Sequence, residues 1–321
     1  MSLFPTISSQ PHGPEKTNWL AAGPFIGVHL MCLFVFVTGV SWISLGVCVA
    51  LYLIRMFGIT GGYHRYFSHR SYKTSRWFQF FLALLGSSAV QKGPLWWAGH
   101  HRKHHKNSDT PLDVHSPLQR GFWYSHMGWI LSNKYNHTEE KVVQDLSKYP
   151  ELRFLNKHIL VVPVSLAVLL FVSGLLLQTY APSLGVTGFQ LLVWGFFVST
   201  TLLYHGVFTI NSLSHVFGKQ RFYTTDTSRN NFWLSLITLG EGWHNNHHRF
   251  PFAEKHALRW WEFDATHYAL RILSWFGLVW DLRTVKKEEI AAALKGADPL
   301  PDVSLNKLDL RSTLSPLAPG Q

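Results

Sequence analysis

The chain has 321 residues, of which 47% are hydrophobic and 15% aromatic against only 15% charged, a balance that excludes a disordered chain and points to a membrane domain. Its formal net charge of +11 suits anionic lipid headgroups or an acidic partner. Nucleic acid is set aside as a partner, because no basic helix or nucleic-acid-binding signature accompanies the charge.

Residues 1–21 read as an N-terminal arm, since Met1 to Trp19 lacks the basic-then-apolar order of a signal peptide. No Asp, Glu, Lys or Arg lies between Lys16 and Arg55, and this stretch predicts apolar helices over 22–40 and 42–59, with a bend near Gly39. The cysteines in it, Cys32 and Cys48, lack CxxC spacing and offer neither a thiolate metal site nor a disulfide framework. The apolar run Trp77 to Val90 is short for a crossing and predicts a helix lying at the interface or over a site. A second charge-free stretch, Ile159 to Gly218, divides at "TYAPSLGVTG" and predicts helices over 159–178 and 189–210. Each meets the roughly 20 residues that a bilayer requires.

The expected fold is therefore an all-α membrane protein, with four transmembrane helices in two hairpins and a helical cap. The membrane and cap domain spans 22–297, and a Pro-, Ser- and Leu-rich tail over 298–321 is loosely ordered. Neither hairpin tip carries Lys or Arg, whereas the segment between Gly61 and His158 carries many, including Arg65, Arg70, Arg102, Lys103 and Lys106. Basic loops stay in the cytosol, which places that segment and both termini there, on a bacterial inner membrane or the endoplasmic reticulum.

Three histidine groups share this expected face. "HRYFSH" supplies His64 and His69, "HRKHH" supplies His101, His104 and His105, and "HNNHH" supplies His244, His247 and His248. "NSLSH" adds Asn211 and His215 one helical turn apart. Positions i, i+3 and i+4 share a helix face, so each HxxHH group is expected to point three imidazoles into one space. His64 and His69 lie about 140° apart on an ideal helix and converge only if it ends or loosens between them. Isolated His29, His158 and His205 read as packing or hydrogen-bonded surface residues, and His12, His137, His256 and His267 as surface ones. Nine imidazoles exceed the needs of one metal, and two metals with four or five nitrogens each suit iron. Asp109, Asp113, Asp226 and Glu241 are candidates to fix the tautomers of the ligands. A metal carrier would need its ligands inside the crossings, and these clusters lie beyond them.

In order and spacing over roughly Pro24 to Leu282, these boxes resemble the membrane fatty acid desaturase family, in particular its stearoyl-CoA desaturase-like Δ9 branch. The resemblance implies four transmembrane helices under a cytosolic cap that holds two irons. It implies ligation by His64, His69, His101, His104, His105, His215, His244, His247 and His248, with Asn211 acting through water. It further implies that the iron centre uses dioxygen to remove two hydrogens, leaving a cis double bond in a saturated acyl chain and turning dioxygen into water. Gln91 and Trp97 match family positions near the bend of the acyl tunnel and are expected to touch substrate. No HPGG, GxGxxG or CxxC stretch occurs, so electrons must come from a separate protein such as a ferredoxin or cytochrome b5 with its reductase. The chain departs from the animal acyl-CoA members at Gly99-His100 and at Ser132-Asn133, where those enzymes carry groups linked to the CoA head. Acyl-CoA remains the expected substrate, with Arg70, Lys73 and Arg76 to meet its phosphates; an acyl lipid is the alternative, and hydroxylation of the chain the alternative reaction.

Overall fold

A computed structural model describes residues 19–295; most of the expected arm (1–21) and all of the tail (298–321) lie outside them. The first apolar helix consists of α1 (Trp19–Met31), a 3-10 turn at Cys32–Phe34 and a short helix at Val35–Thr38. Gly39 ends it with φ of +62°, a conformation that glycine adopts without strain. Ser41 and Ser44 then form a reciprocal capping box that starts α2 (Trp42–Phe57). Three helices, Trp42–Ser68, Val161–Tyr180 and Gly188–His215, are long and apolar enough to cross a membrane, and the apolar stretch Ala22–Thr38 is shorter.

The helix expected over 42–59 runs on to Ser68, and its last part, Gly58–Ser68, is wound as a π-helix. The sequence stops the apolar pattern at the first polar residues because the partners that bury them are distant in the chain. The loosened winding answers the His64–His69 problem: the helix carries on, and the amide of His69 donates to the His64 carbonyl five residues back. The π segment packs against α3 (Arg76–Ser87), which is the short apolar run. A side chain at Gly58 would sit 2.7 Å from the Leu85 backbone, so the approach requires glycine.

The remaining elements place the site at one end. Helix α4 (Pro94–Asn107) packs on the π segment, and α5 (Phe122–His126) packs on α7 (Ser199–Asn211). The second hairpin pairs α6 (Val161–Tyr180) with the helix that ends in α7. Gln190 joins the two hairpin tips, accepting from Ser41 Oγ and donating to the Thr38 carbonyl, each at 3.0 Å. Beyond α7 the cap holds α8 (His244–Arg249) and α9 (Ala265–Trp275). A two-residue antiparallel pair, β1 (Lys73–Thr74) with β2 (Val279–Trp280), closes the C-terminal part of the cap onto the segment after the π-helix.

Arg65 is the main tie between span and cap. Fully buried, its guanidinium lies 2.9 Å from Asp264, 3.1 Å from Glu241 and 3.7 Å from Glu254, and it donates to the Glu254 carbonyl at 2.7 Å. Removing one partner of such a network leaves buried charge uncompensated, at a cost of about 3–5 kcal/mol. Arg65→Met should therefore lower thermal stability markedly in detergent, and a melting temperature equal to wild type would contradict this role.

Candidate metal centre

The nine histidines of the boxes gather into two groups. His64, His69, His101, His105 and His247 form one, and His104, His215, His244 and His248 the other; within each, one nitrogen per ring lies within 4.8 Å of the rest. Inward Nε2 atoms meet at 3.0 Å between His64 and His247, 2.8 Å between His69 and His101, and 3.0 Å between His215 and His244. Each HxxHH motif is split, contrary to the expectation of three rings in one space. On α4 the i, i+4 pair His101 and His105 serves the first group while His104 serves the second. On α8 the i, i+4 pair His244 and His248 serves the second while His247 serves the first. Rings at i+3 and i+4 point to neighbouring but different directions, so two such helices can bracket two centres at once.

Carboxylates lie beside the outward nitrogens of four of the nine rings. His64 Nδ1 lies 2.6 Å from Glu241, His104 Nδ1 3.0 Å from Asp113, His215 Nδ1 3.2 Å from Asp109 and His248 Nδ1 2.6 Å from Asp226. An acceptor on Nδ1 keeps the proton there and turns the Nε2 lone pair inward, as metal ligation needs. Burial pushes the imidazoles of His69, His101, His105, His244 and His247 well below the ordinary histidine range, and neighbouring imidazoles add to the shift. Burial would raise Asp109, Asp113 and Asp226, but the imidazoles beside them hold all three below the usual carboxylate range. The result is that burial keeps those five rings as neutral nitrogen donors, while at His215 Asp109 outweighs burial and shifts the imidazole upward; His248 Nε2 is buried and without a hydrogen-bond partner. Such a donor set fits two divalent ions of the kind imidazole binds, iron among them.

Beside the groups lies a cavity of about 280 Å³, whose lining includes Gln91, Trp97, His101, Tyr204 and Asn211. Trp97 stacks on His101 at 4.9 Å, and its indole N–H donates to Gln91 at 3.4 Å. Asn211 also borders the second group, in a small space shared with His104 and His244. His100 stays apart, facing the His137 carbonyl and Trp96.

Two histidines stand nearer the centre than the sequence indicates. His256, taken for a surface residue, is 1% exposed and packs 4.4 Å from the His247 ring, with Nδ1 between Arg65 and Glu241. His115 is buried beside Asp113 and 4.4 Å from the His104 ring. Neither has a repeat spacing that would reveal it; both are placed by loops folding back over the boxes. His267 is half-buried against Glu254. His29 and His205, expected to be packing or hydrogen-bonded surface residues, meet each other at 3.2 Å.

Comparison with known proteins gives a concordant result. A family model described as fatty acid desaturase matches residues 40–278. The chain is similar to an sn-1 stearoyl-lipid 9-desaturase of Anabaena variabilis, with 36% identity over 85% of this chain and 97% of the relative. It is also similar to an acyl-CoA C20 Delta5-desaturase of Anemone leveillei, 38% identical over 80% of this chain and 79% of the relative. An sn-2 palmitoyl-lipid 9-desaturase of Nostoc sp. (strain 36) is 35% identical over 86% and 93% respectively.

Two measurements probe the centre. Removing the acceptor of His248 by Asp226→Ala should weaken metal retention about 10–100-fold in a chelator titration, and unchanged retention would refute the clamp. The second concerns pH. Histidines of the unfolded chain bind protons near pH 6.5, whereas the buried ones resist them, so the unfolded state gains the excess protons. Stability of the metal-free protein is thus fully present above about pH 6.5 and lost as pH falls; the clamped carboxylates add a further loss only below about pH 4. Its thermal midpoint should drop between about pH 7 and about pH 5, and a flat profile there would count against neutral burial.

Proposed function

This chain belongs to the fatty acid desaturase family and is an oxidoreductase that desaturates fatty acyl chains, and on that premise we propose that it places a cis double bond at Δ9 of a saturated chain carried by a membrane lipid. The ligands we assign are His64, His69, His101, His105 and His247 for one iron, and His104, His215, His244 and His248 with a water on Asn211 for the other. The observation that carries this reading is the cavity whose wall runs from Phe25 and Tyr204 to His101 and Asn211, so that an apolar chain within it passes the histidine groups.

The irons supply, with dioxygen, an oxidising power that no side chain has. The protein's residues do the rest. Asp109, Asp113 and Asp226 hold the Nδ1 protons of His215, His104 and His248 and aim those imidazoles, and Glu241 lies 2.6 Å from His64 Nδ1. The Trp97–Gln91 pair shapes the bend, and the apolar wall excludes water and lets geometry choose the reacting carbons. Loss of two hydrogens from the chain and reduction of one dioxygen to two waters consumes two further protons and two electrons. Those electrons come from a separate donor, a ferredoxin or cytochrome b5, steered to the basic cap. In this reading Ala22–Thr38 is the fourth crossing, and the cap and both termini face the cytosol.

A lipid carrier is favoured because the three cations expected to meet CoA phosphates are each paired with a carboxylate. Arg70 pairs with Asp145, Lys73 with Asp281 at 2.8 Å, and Arg76 with Glu151 at 2.8 Å. Gly99, Ser132 and Asn133 add no charge there. Two of the relatives named above are lipid desaturases, and the Anemone relative keeps acyl-CoA as the second reading.

The test is expression in a host that lacks unsaturated acyl chains, followed by mapping of double bonds in each lipid class and in acyl-CoA. Cis-9 alkenes on glycerolipids are expected; hydroxylated chains without alkenes would overturn the reaction assigned. His104→Ala and His247→Ala should abolish alkene formation and lower bound iron, while exposed His158→Ala should do neither. Full activity and iron in His104→Ala would refute the ligand assignment.

A further inference from the structure

Three imidazoles outside the two groups form an unbroken chain at the level of the membrane helices. His29 Nδ1 donates to the Phe25 carbonyl at 2.7 Å, since a carbonyl only accepts. His29 Nε2 lies 3.2 Å from His205 Nε2, and His205 Nδ1 lies 3.0 Å from His126 Nε2. His126 Nδ1 ends the chain on Ser212 Oγ at 2.9 Å. His205 uses opposite nitrogens for its two contacts, so the three rings do not close on one cation. With neutral rings, the Phe25 carbonyl makes His205 donate to His29 and His126 donate to His205. This order requires the single Ser212 hydroxyl proton to go to His126 Nδ1 in place of the Phe208 carbonyl, which lies equally near at 2.9 Å.

The chain joins α1, α7 and α5, and its anchor points hold the aromatic wall of the acyl cavity. Phe25, one turn before His29, stacks on Tyr204 at 5.5 Å, and Tyr204 is the neighbour of His205. Ser212 Oγ also contacts the Phe208 carbonyl at 2.9 Å, and Phe25, Tyr204 and Phe208 all line the cavity. The Tyr204 hydroxyl donates to the Val90 carbonyl at 3.0 Å, next to Gln91. Val90 sits at φ of +61°, a costly conformation for a β-branched residue that its surroundings must enforce. In lipid, apolar side chains give little preference for one helix register over another, so hydrogen bonds between helices carry more of that choice.

We propose that His29, His205 and His126 are specificity-determining positioning residues: they fix α1 against α7, and with it the Phe25–Tyr204 wall that decides which acyl carbons stop beside the histidine groups. The inference rests on the desaturase reading above. It predicts that breaking the chain changes where the double bond falls without removing iron.

The experiment uses the full-length, iron-loaded protein with saturated acyl chains of several lengths on the carrier that the wild type accepts. Three quantities are read: iron per protein, total alkene, and the distribution of alkene over position and chain length. His205→Phe keeps a ring but breaks both links, and should change the ratio of major to minor products about tenfold, the order of discrimination that one methylene provides. His205→Gln offers an amide donor and acceptor and should restore most of the wild-type distribution. His29→Phe breaks the outer link alone, should shift products in the same direction by less, and serves if His205→Phe does not accumulate. A wild-type distribution in either iron-loaded Phe variant would overturn the proposal, as would loss of iron, which would make the chain a support of the metal groups. Absence of alkenes from the wild type itself would instead overturn the desaturase reading, and this inference with it.

Discussion

The site is oriented by the pairing of buried carboxylates with the outward nitrogens of four of its nine imidazoles. A neutral histidine has one proton and one lone pair, and only the lone pair can hold a metal. Asp109, Asp113 and Asp226 settle which nitrogen has which for His215, His104 and His248. The pairing works in both directions, because buried acids need partners as much as the imidazoles need orientation. Glu241 shows the extension of the scheme: it holds His64 on one oxygen and Arg65 on the other, so the cap's charge network and the donor cluster share a residue.

The two groups also exploit a mismatch in helical geometry. An HxxHH motif on a regular helix sends its rings in slightly divergent directions, and α4 and α8 use that divergence in opposite senses, two-plus-one against one-plus-two. The remaining histidines of the two groups come from segments where the α-helix gives way: His64 from the π segment, His69 from the residue that ends it, and His215 from a 3-10 turn after α7. Regular winding supplies the pairs, and irregular winding brings in the single rings.

Much of this was legible in the sequence, for reasons that differ by element. Charge-free stretches showed the apolar helices because the cost of burying charge is local and visible. The histidine boxes were legible because their spacing is itself helical. The end of the second helix was misplaced at residue 59, since Arg65 is tolerated inside it only by Asp264, Glu241 and Glu254, which lie far away in the chain. His256 and His115 escaped for a similar reason: burial of a lone histidine is decided by a loop, and no spacing records it. His205 and His29 were each taken singly, and a contact across 176 residues has no local signature.

The π-wound extension has a mechanical corollary. The helix that begins at Trp42 among lipid-facing residues ends as the bearer of His64, with no hinge between the two. One continuous helix therefore carries the register set at its Ser41 cap to the imidazole of His64.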